Sequence, residues 1–174
     1  MQVLVADTSG LVSLGIVAEQ DPDPLEICLA TYDVRVPETV IDELRETASY
    51  DDEHGEAADA VLERTADLTI QSVVLDADFP LDDGENAAVT LANDVEAALC
   101  LCDEFNSLGL VHASLANTRL VTTPILLSVL VRTGQMASDE ALSLLEQISL
   151  ARSWETNSYV QRAESLLNNS TPRE

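Results

Sequence analysis

The chain has 174 residues, of which 46% are hydrophobic, and its 32 acidic residues outnumber eight basic ones to give a formal net charge of −24. This length supports one hydrophobic core, and the regular spacing of Leu, Val, Ala and Ile excludes a disordered acidic chain. No apolar run reaches the roughly 18 to 20 residues that cross a bilayer, and the first residues lack the basic start of a signal peptide, so we expect a cytoplasmic protein.

The basic residues are all arginine, and lysine is absent from the sequence. Such a surface is typical of proteins from salt-saturated cytoplasm, where ions screen charge repulsion over about 3 Å. We therefore expect a halophilic origin. Because nearly every protein in such a cell shares this charge, function has to be inferred from local positions.

Strand-like and helix-like segments alternate through the first half of the chain. Apolar and β-branched runs end at turn-forming residues, and longer segments place apolar residues at helical spacing. The Asp-Pro-Asp-Pro sequence at residues 21–24 and Pro37 interrupt the pattern. The predicted strands cover residues 3–6, 34–36 and 68–75, and the predicted helices cover residues 11–18, 25–30, 38–48 and 56–66.

The alternation continues in the second half. Asp82 or Asp83 can cap a helix whose first turn holds Glu85. Strands are predicted at 97–102 and 120–121, and helices at 125–132, 141–148 and 154–167. This order favours the α/β class, with a mostly parallel sheet covered by helices on both faces. Ligands of such sheets bind outside the carboxyl ends of the strands.

Four acidic residues fall at that edge of the predicted sheet. Asp7 and Asp103 follow apolar strands, while Glu43 and Glu85 lie in the first turns of helices that follow a strand. In a chain with 32 acids any one of them could fall there by accident, so the joint pattern carries the argument. Four converging carboxylates repel one another unless a cation neutralises them, and hard oxygen ligands select Mg²⁺ or Mn²⁺.

The segments around these acids resemble PIN domains, including the VapC-type toxins and their solitary relatives. The matching segments are VADTSGLVSL at Asp7, VPETVIDELRE at Glu43, LDDGENAAVTLAND at Glu85 and LCLCDE at Asp103. A weaker fifth match is RLVTTPILL at residues 119–127. The resemblance implies a PIN-like, Rossmannoid nuclease domain over residues 1–150, with residues 151–174 as a C-terminal helix and tail of the same domain.

The resemblance also implies a metal-dependent endoribonuclease, in which Asp7, Glu43, Glu85 and Asp103 are both catalytic residues and metal ligands. A bound ion lowers the pKa of its water and neutralises charge on the phosphoryl oxygens. On this analogy Asp7 and Asp103 bind the metal directly, and Glu43 and Glu85 bind a second ion or orient metal waters. Glu104 is an alternate ligand.

Hydroxyl groups also fall near the predicted site. Those of Thr8, Ser9 and Thr123 lie at the same edge of the sheet. They are expected to cap the following helices or to hold a water or a phosphate oxygen.

The scarcity of basic residues leaves two hypotheses open. Between Arg64 and Arg119 the only basic residue is His112, whereas RNA binding normally draws on cationic contacts to phosphate. The chain is either an active ribonuclease, as the toxin of a toxin–antitoxin pair or as a stand-alone enzyme, or a PIN-like domain without nuclease activity that serves as a binding or regulatory module. The four acids favour the enzyme. A receiver-type signalling domain is disfavoured because it should carry a late lysine.

Two further predictions concern cysteines and assembly. Cys28, Cys100 and Cys102 lack the spacing of a zinc site, so we expect small buried residues without a disulfide. The helix at 125–132 carries more apolar residues than one buried face needs, which indicates either a homodimer or full burial. Those residues are Leu126, Leu127, Val129, Leu130 and Val131.

Overall fold

A parallel sheet forms the centre of the protein in the computed structural model, which describes residues 1–169. The strand order is β3-β2-β1-β4-β5, and every neighbouring pair is parallel. The α/β class with a parallel sheet is thus confirmed, while the predicted tail at 170–174 lies outside the described residues. The strands are β1 (Val3–Ala6), β2 (Asp33–Pro37), β3 (Thr69–Gln71), β4 (Leu99–Leu101) and β5 (Arg119–Val121).

Helices occupy most of the remaining described chain, and their order follows the prediction closely. The structure places them at α1 (Thr8–Ile16), α2 (Pro24–Thr31), α3 (Glu38–Ala48), α4 (Glu53–Leu62), α5 (Asp83–Asp94), α6 (Leu108–Ser114), α7 (Thr123–Arg132), α8 (Ser138–Arg152) and α9 (Ser158–Asn169), with a short 3-10 turn at Thr65–Asp67.

The boundaries that differ have local causes. The strand predicted at 68–75 stops at Gln71 because its partner in β2 is Pro37, after which β2 gives way to α3. The helix predicted from residue 56 starts earlier, since the Asp52 carboxylate accepts a hydrogen bond from Gly55 N at 2.8 Å. The last helix starts later than residue 154, because Asn157 Oδ1 accepts hydrogen bonds from the first backbone amides of α9.

The two faces of the sheet pack against different helices. Leu4 and Ala6 of β1 join a large core with residues from α1, α7, α8 and α9, whereas Val5 joins a smaller cluster with Ala88 and Leu91 of α5. Successive side chains of a strand point to opposite faces, so both faces of β1 are buried. This burial leaves the ends of the central strands as the places where polar side chains can gather.

Helix α7 buries most of its apolar side chains within the single chain. Leu126, Leu127 and Leu130 have no exposed surface, while Val129 and Val131 are half-buried. This burial accounts for the helix without a second copy of the chain, and the homodimer stays a prediction. Over residues 1–169, no helix is both long and apolar enough to span a membrane.

The three cysteines are buried free thiols, as predicted. Burial raises the pKa of the Cys28 thiol to about 12 and also raises those of Cys100 and Cys102. A thiol held in its neutral form is a poor nucleophile, so the cysteines serve as core residues.

Candidate metal centre

Asp7 is fixed at the junction of the two central strands. It follows β1 directly, and its backbone N–H donates to Leu101 O of β4 at 3.1 Å. Its Oδ1 accepts hydrogen bonds from Ser9 Oγ at 2.7 Å and Gly10 N at 3.0 Å, so the carboxylate also caps α1. Only 3% of Asp7 is exposed, and the carboxylate is therefore both desolvated and held in one orientation.

Glu43 reaches the same place from the second turn of α3. Its Oε1 accepts a hydrogen bond from Thr8 Oγ1 at 2.9 Å, which links α3 to the start of α1. The Glu43 carboxylate also lies against the backbone of Gly84 at the start of α5. The first turns of two other helices, α1 and α5, therefore position this side chain.

Glu85 enters from the first turn of α5. Asp82 caps this helix by accepting a hydrogen bond from Glu85 N at 2.8 Å, which confirms the predicted capping position. The two carboxyl groups also interact with each other, and Glu85 is only 7% exposed. The cap residue thus brings a further carboxylate to the site.

A cavity of about 30 Å³ lies between these side chains. Five carboxylates contribute to its wall, and within residues 1–169 no basic side chain lines it. A volume of this size holds about one water-sized occupant. The lining residues are Asp7, Thr8, Ser9, Glu43, Asp82, Gly84, Glu85 and Glu104.

Burial and mutual repulsion make these carboxyl groups weak acids. Burial raises the pKa of Asp7 to about 7, although the Gly10 and Ser9 hydrogen bonds oppose the shift. The pKa of Glu85 rises to about 8, because of burial first and the neighbouring Asp82 second. Burial also raises the pKa of Glu43. Without a cation, protons therefore take up part of the charge near neutral pH.

The Asp103 carboxylate lies at the start of α7 and not in the cavity wall. Its Oδ1 accepts from Thr123 N at 2.7 Å and its Oδ2 accepts from Thr123 Oγ1 at 2.5 Å, so the carboxylate holds the start of α7. Its backbone N–H donates to Ser9 Oγ at 2.9 Å. The Asp103 side chain does not line the cavity, although its charge raises the pKa of Asp7. Glu104, the next residue, lines the cavity instead.

The structure thus brings three of the four predicted acids to one cavity. Asp7, Glu43 and Glu85 meet there, together with Asp82 and Glu104. The three predicted hydroxyl groups hold carboxylates, as Thr8 donates to Glu43, Ser9 to Asp7 and Thr123 to Asp103. Asp82 escaped prediction as a site residue because capping α5 already explained an acid at that position.

A family model for the PIN domain matches residues 3–169. The chain belongs to the PIN-domain family. Members of this family are generally nucleases that bind Mg²⁺ or Mn²⁺. The match extends past residue 150 and covers α8 and α9 of this PIN domain. No curated protein matches the sequence significantly.

The cavity of this PIN domain has the donor chemistry of a hard divalent cation. Its carboxylate oxygens are the ligands that Mg²⁺ and Mn²⁺ prefer. Within the described chain, no three His, Cys, Asp or Glu side chains are already arranged as a metal site. In this arrangement one oxygen of Glu43 accepts a hydrogen bond from Thr8, and one oxygen of Asp7 accepts a hydrogen bond from Ser9. The chemistry of the donor set therefore fits the ion.

Proposed function

We propose that this PIN domain is a metal-dependent endoribonuclease that hydrolyses phosphodiester bonds in RNA. The observation that supports it best is the gathering of five carboxylates around one small cavity, with pKa values of about 7 for Asp7 and about 8 for Glu85. Such crowding of carboxylates is unfavourable without a cation. A domain that served only as a binding surface would not need these carboxylates, whereas a metal-dependent nuclease does.

The proposed ligands are the carboxylates that face the cavity. Asp7, Glu43, Glu85 and Glu104 would hold Mg²⁺ or Mn²⁺, and Asp103, predicted as a ligand, would position Glu104 and the strand end. A bound ion would supply an activated water and charge neutralisation at phosphate. The protein's own part is orientation, because Ser9 holds one oxygen of Asp7 and Thr8 holds one oxygen of Glu43. Glu85, whose pKa is raised to about 8, would give up its proton to water when the ion is held there.

A binding or regulatory module without nuclease activity is the second candidate. The observation that favours it is the absence of basic side chains from the cavity wall within residues 1–169. Phosphate recognition at the cavity would then depend on the metal ion alone. The two candidates differ in whether RNA is cut when metal is supplied.

The experiment is cleavage of a labelled RNA by the full chain in about 2 to 3 M KCl, which screens its negative charge. Mn²⁺ and Mg²⁺ are compared with EDTA, and Asp7→Asn is compared with Asp59→Asn, an exposed α4 residue that carries the same charge change. We expect metal-dependent cutting that falls at least about a hundredfold in Asp7→Asn and persists in Asp59→Asn. A folded protein that cuts none of several RNAs would support the binding module.

The predicted protein partners need separate measurements. An antitoxin would have to co-purify with the chain and suppress cleavage, whereas a stand-alone enzyme would be active without one. Light scattering in the same salt tests the homodimer, and a purely monomeric mass would exclude it.

A further inference from the structure

A groove on the β5 edge of the sheet collects a large share of the protein's positive charge. Three of the eight arginines line it, and within residues 1–169 no acidic side chain does, although the chain has 32 acids. Its volume of about 460 Å³ lies in the range of ligand-binding clefts, roughly 300 to 1,000 Å³. The residues that define this arginine groove are Arg119, Leu120, Ile125, Ser128, Arg132, Tyr159, Arg162 and Leu166.

Regular secondary structure forms the walls of the arginine groove. Ile125, Ser128 and Arg132 share one face of α7 at i, i+3 and i+7 spacing, and Tyr159, Arg162 and Leu166 repeat this spacing on α9. The third wall is β5, the edge strand of the sheet. Because helices and a strand carry the lining residues, the arginines are presented from a firm surface.

The arginines of the groove are available to a ligand. Arg119, Arg132 and Arg162 are exposed, and the ion pairs within residues 1–169 involve other arginines. In a protein with four acids for every arginine, three guanidinium groups that form no ion pair with a carboxylate of residues 1–169 are unexpected. Guanidinium groups form strong, often bidentate hydrogen bonds with phosphate oxygens.

A stacked pair of aromatic rings joins the groove to the chain segment that carries Glu104 of the acidic cavity. Tyr159 is 48% exposed, and its ring stacks on Phe105 with centroids 5.5 Å apart and an interplanar angle of 11°. Phe105 directly follows Glu104, which lines the cavity, and Trp154 supports Phe105 edge-on at 4.9 Å. Exposed aromatic rings beside cations are the elements by which proteins bind single-stranded nucleic acids.

We propose that the arginine groove binds single-stranded RNA as it leaves the acidic cavity, with Arg119, Arg132 and Arg162 contacting phosphates and Tyr159 stacking on a base. This inference rests on the proposed nuclease function and supplies the cationic contacts that the cavity lacks. Direct hydrogen bonds and stacking survive at molar salt, where screening removes long-range attraction. An acidic peptide would also match the charge, but the exposed Tyr159 ring among the arginines favours RNA, whose bases can stack on it.

The test measures RNA binding without catalysis. The full chain is titrated into a fluorescent single-stranded RNA of about 12 nucleotides, within the usual site sizes of such proteins, in EDTA over a series of KCl concentrations. The variants are Arg119→Gln, Arg132→Gln, Arg162→Gln, their triple combination and Tyr159→Leu. The control is Arg45→Gln, which changes the charge equally at an exposed position on α3.

Each groove substitution should weaken RNA binding about five-fold or more. Each arginine substitution should also reduce the slope of log affinity against log salt concentration by about one, as expected for the loss of one phosphate contact. Arg45→Gln should bind like the wild type. With Mn²⁺, the triple variant should show a raised KM and a kcat within about two-fold of wild type, since none of the three arginines lines the acidic cavity. Unchanged affinity and KM in the triple variant overturn the groove proposal.

The experiments can overturn the groove proposal and the nuclease proposal independently of each other. A wild type that cuts RNA, together with a triple variant of unchanged affinity, removes only the groove. A wild type that never cuts RNA but loses affinity in the triple variant removes only the nuclease. Displacement of RNA by polyglutamate at equal concentration of charges would assign the groove to an acidic peptide and overturn RNA as its ligand.

Discussion

The Glu43 carboxylate occupies the space beside Gly84 where any other residue would place its Cβ. A Cβ built on Gly84 would lie 2.7 Å from Glu43 Cδ and 2.8 Å from Oε2, both closer than such atoms approach in proteins. Gly84 is the second residue of α5, and its backbone φ is not in the left-handed region. This glycine is therefore explained by the approach of Glu43 rather than by an unusual backbone conformation.

Substitution of Gly84 by alanine should impair the site without unfolding the protein. The added methyl group would push the Glu43 carboxylate out of the cavity wall, and we expect a loss of at least about ten-fold in metal affinity and in kcat/KM. Stability should change by less than about 1 kcal/mol, because alanine favours the helix by about that amount and offsets the displacement. Metal titration, RNA cleavage and urea unfolding measure the three quantities.

Gly109→Ala is the matched control, since a Cβ added at that position in α6 meets no atom within 4 Å. It should leave metal affinity and cleavage unchanged. If the Gly84 and Gly109 substitutions changed metal affinity and RNA cleavage equally, the close approach of Glu43 to Gly84 would not matter for function.

Asp103→Asn and Glu104→Gln should separate structure from metal binding. Asp103 is buried and both its oxygens accept hydrogen bonds from Thr123, so its replacement should lower the free energy of unfolding by about 1 to 3 kcal/mol. Glu104 is exposed apart from its place in the cavity wall, and its replacement should weaken metal binding with little effect on stability. If Asp103→Asn instead weakened metal binding and Glu104→Gln lowered stability, Asp103 would be the direct ligand.

Sequence patterns predicted most of the fold because the signals were local. Apolar runs ending at Asp7 and Pro37, and helical spacing after Asp82, depend only on neighbouring residues. Local patterns could not predict whether Asp103 or Glu104 faces the cavity. The outcome depends on Thr123, which lies 20 residues away and engages both oxygens of Asp103. Long-range pairing decided which of two adjacent carboxylates faces the cavity.

The arginine groove could not be predicted for the same reason. Arg119, Arg132 and Arg162 are widely separated in the sequence and come from β5, α7 and α9. Only the packing of α9 along α7 brings them together. The sequence around Asp103 lacks basic residues, whereas the folded chain places three arginines beside Tyr159, whose ring stacks on Phe105.

The raised pKa values predict how stability depends on pH. Asp7 and Glu85 keep their protons up to about pH 7 and 8 in the folded protein, whereas such carboxyls titrate near pH 4 in the unfolded chain. The folded state thus binds more protons between about pH 4 and 8, and the free energy of unfolding in EDTA should fall as pH rises through this window. Thermal unfolding at several pH values measures this change.

Asp7→Asn isolates the contribution of one group. At pH 8 in EDTA this variant should be more stable than the wild type, because the wild type buries a charge there, and the difference should shrink toward pH 5. Mn²⁺ should stabilise the wild type at pH 8 more than at pH 5, since it competes with protons for the same oxygens. A difference between variant and wild type that does not vary with pH would contradict the raised pKa of Asp7.

Ser9→Ala should disturb the link between the two central strands. Ser9 Oγ donates to Asp7 Oδ1 and accepts from Asp103 N, so the substitution leaves a buried N–H without its acceptor at a cost of about 1 to 3 kcal/mol. It also removes a hydrogen bond that lowers the pKa of Asp7, so the pH at which metal binds half-maximally should rise. Ser114→Ala is the control, because that hydroxyl donates only to Leu110 O within α6. If both variants bind metal with the same pH profile as the wild type, Ser9 holds the strands together without tuning the site.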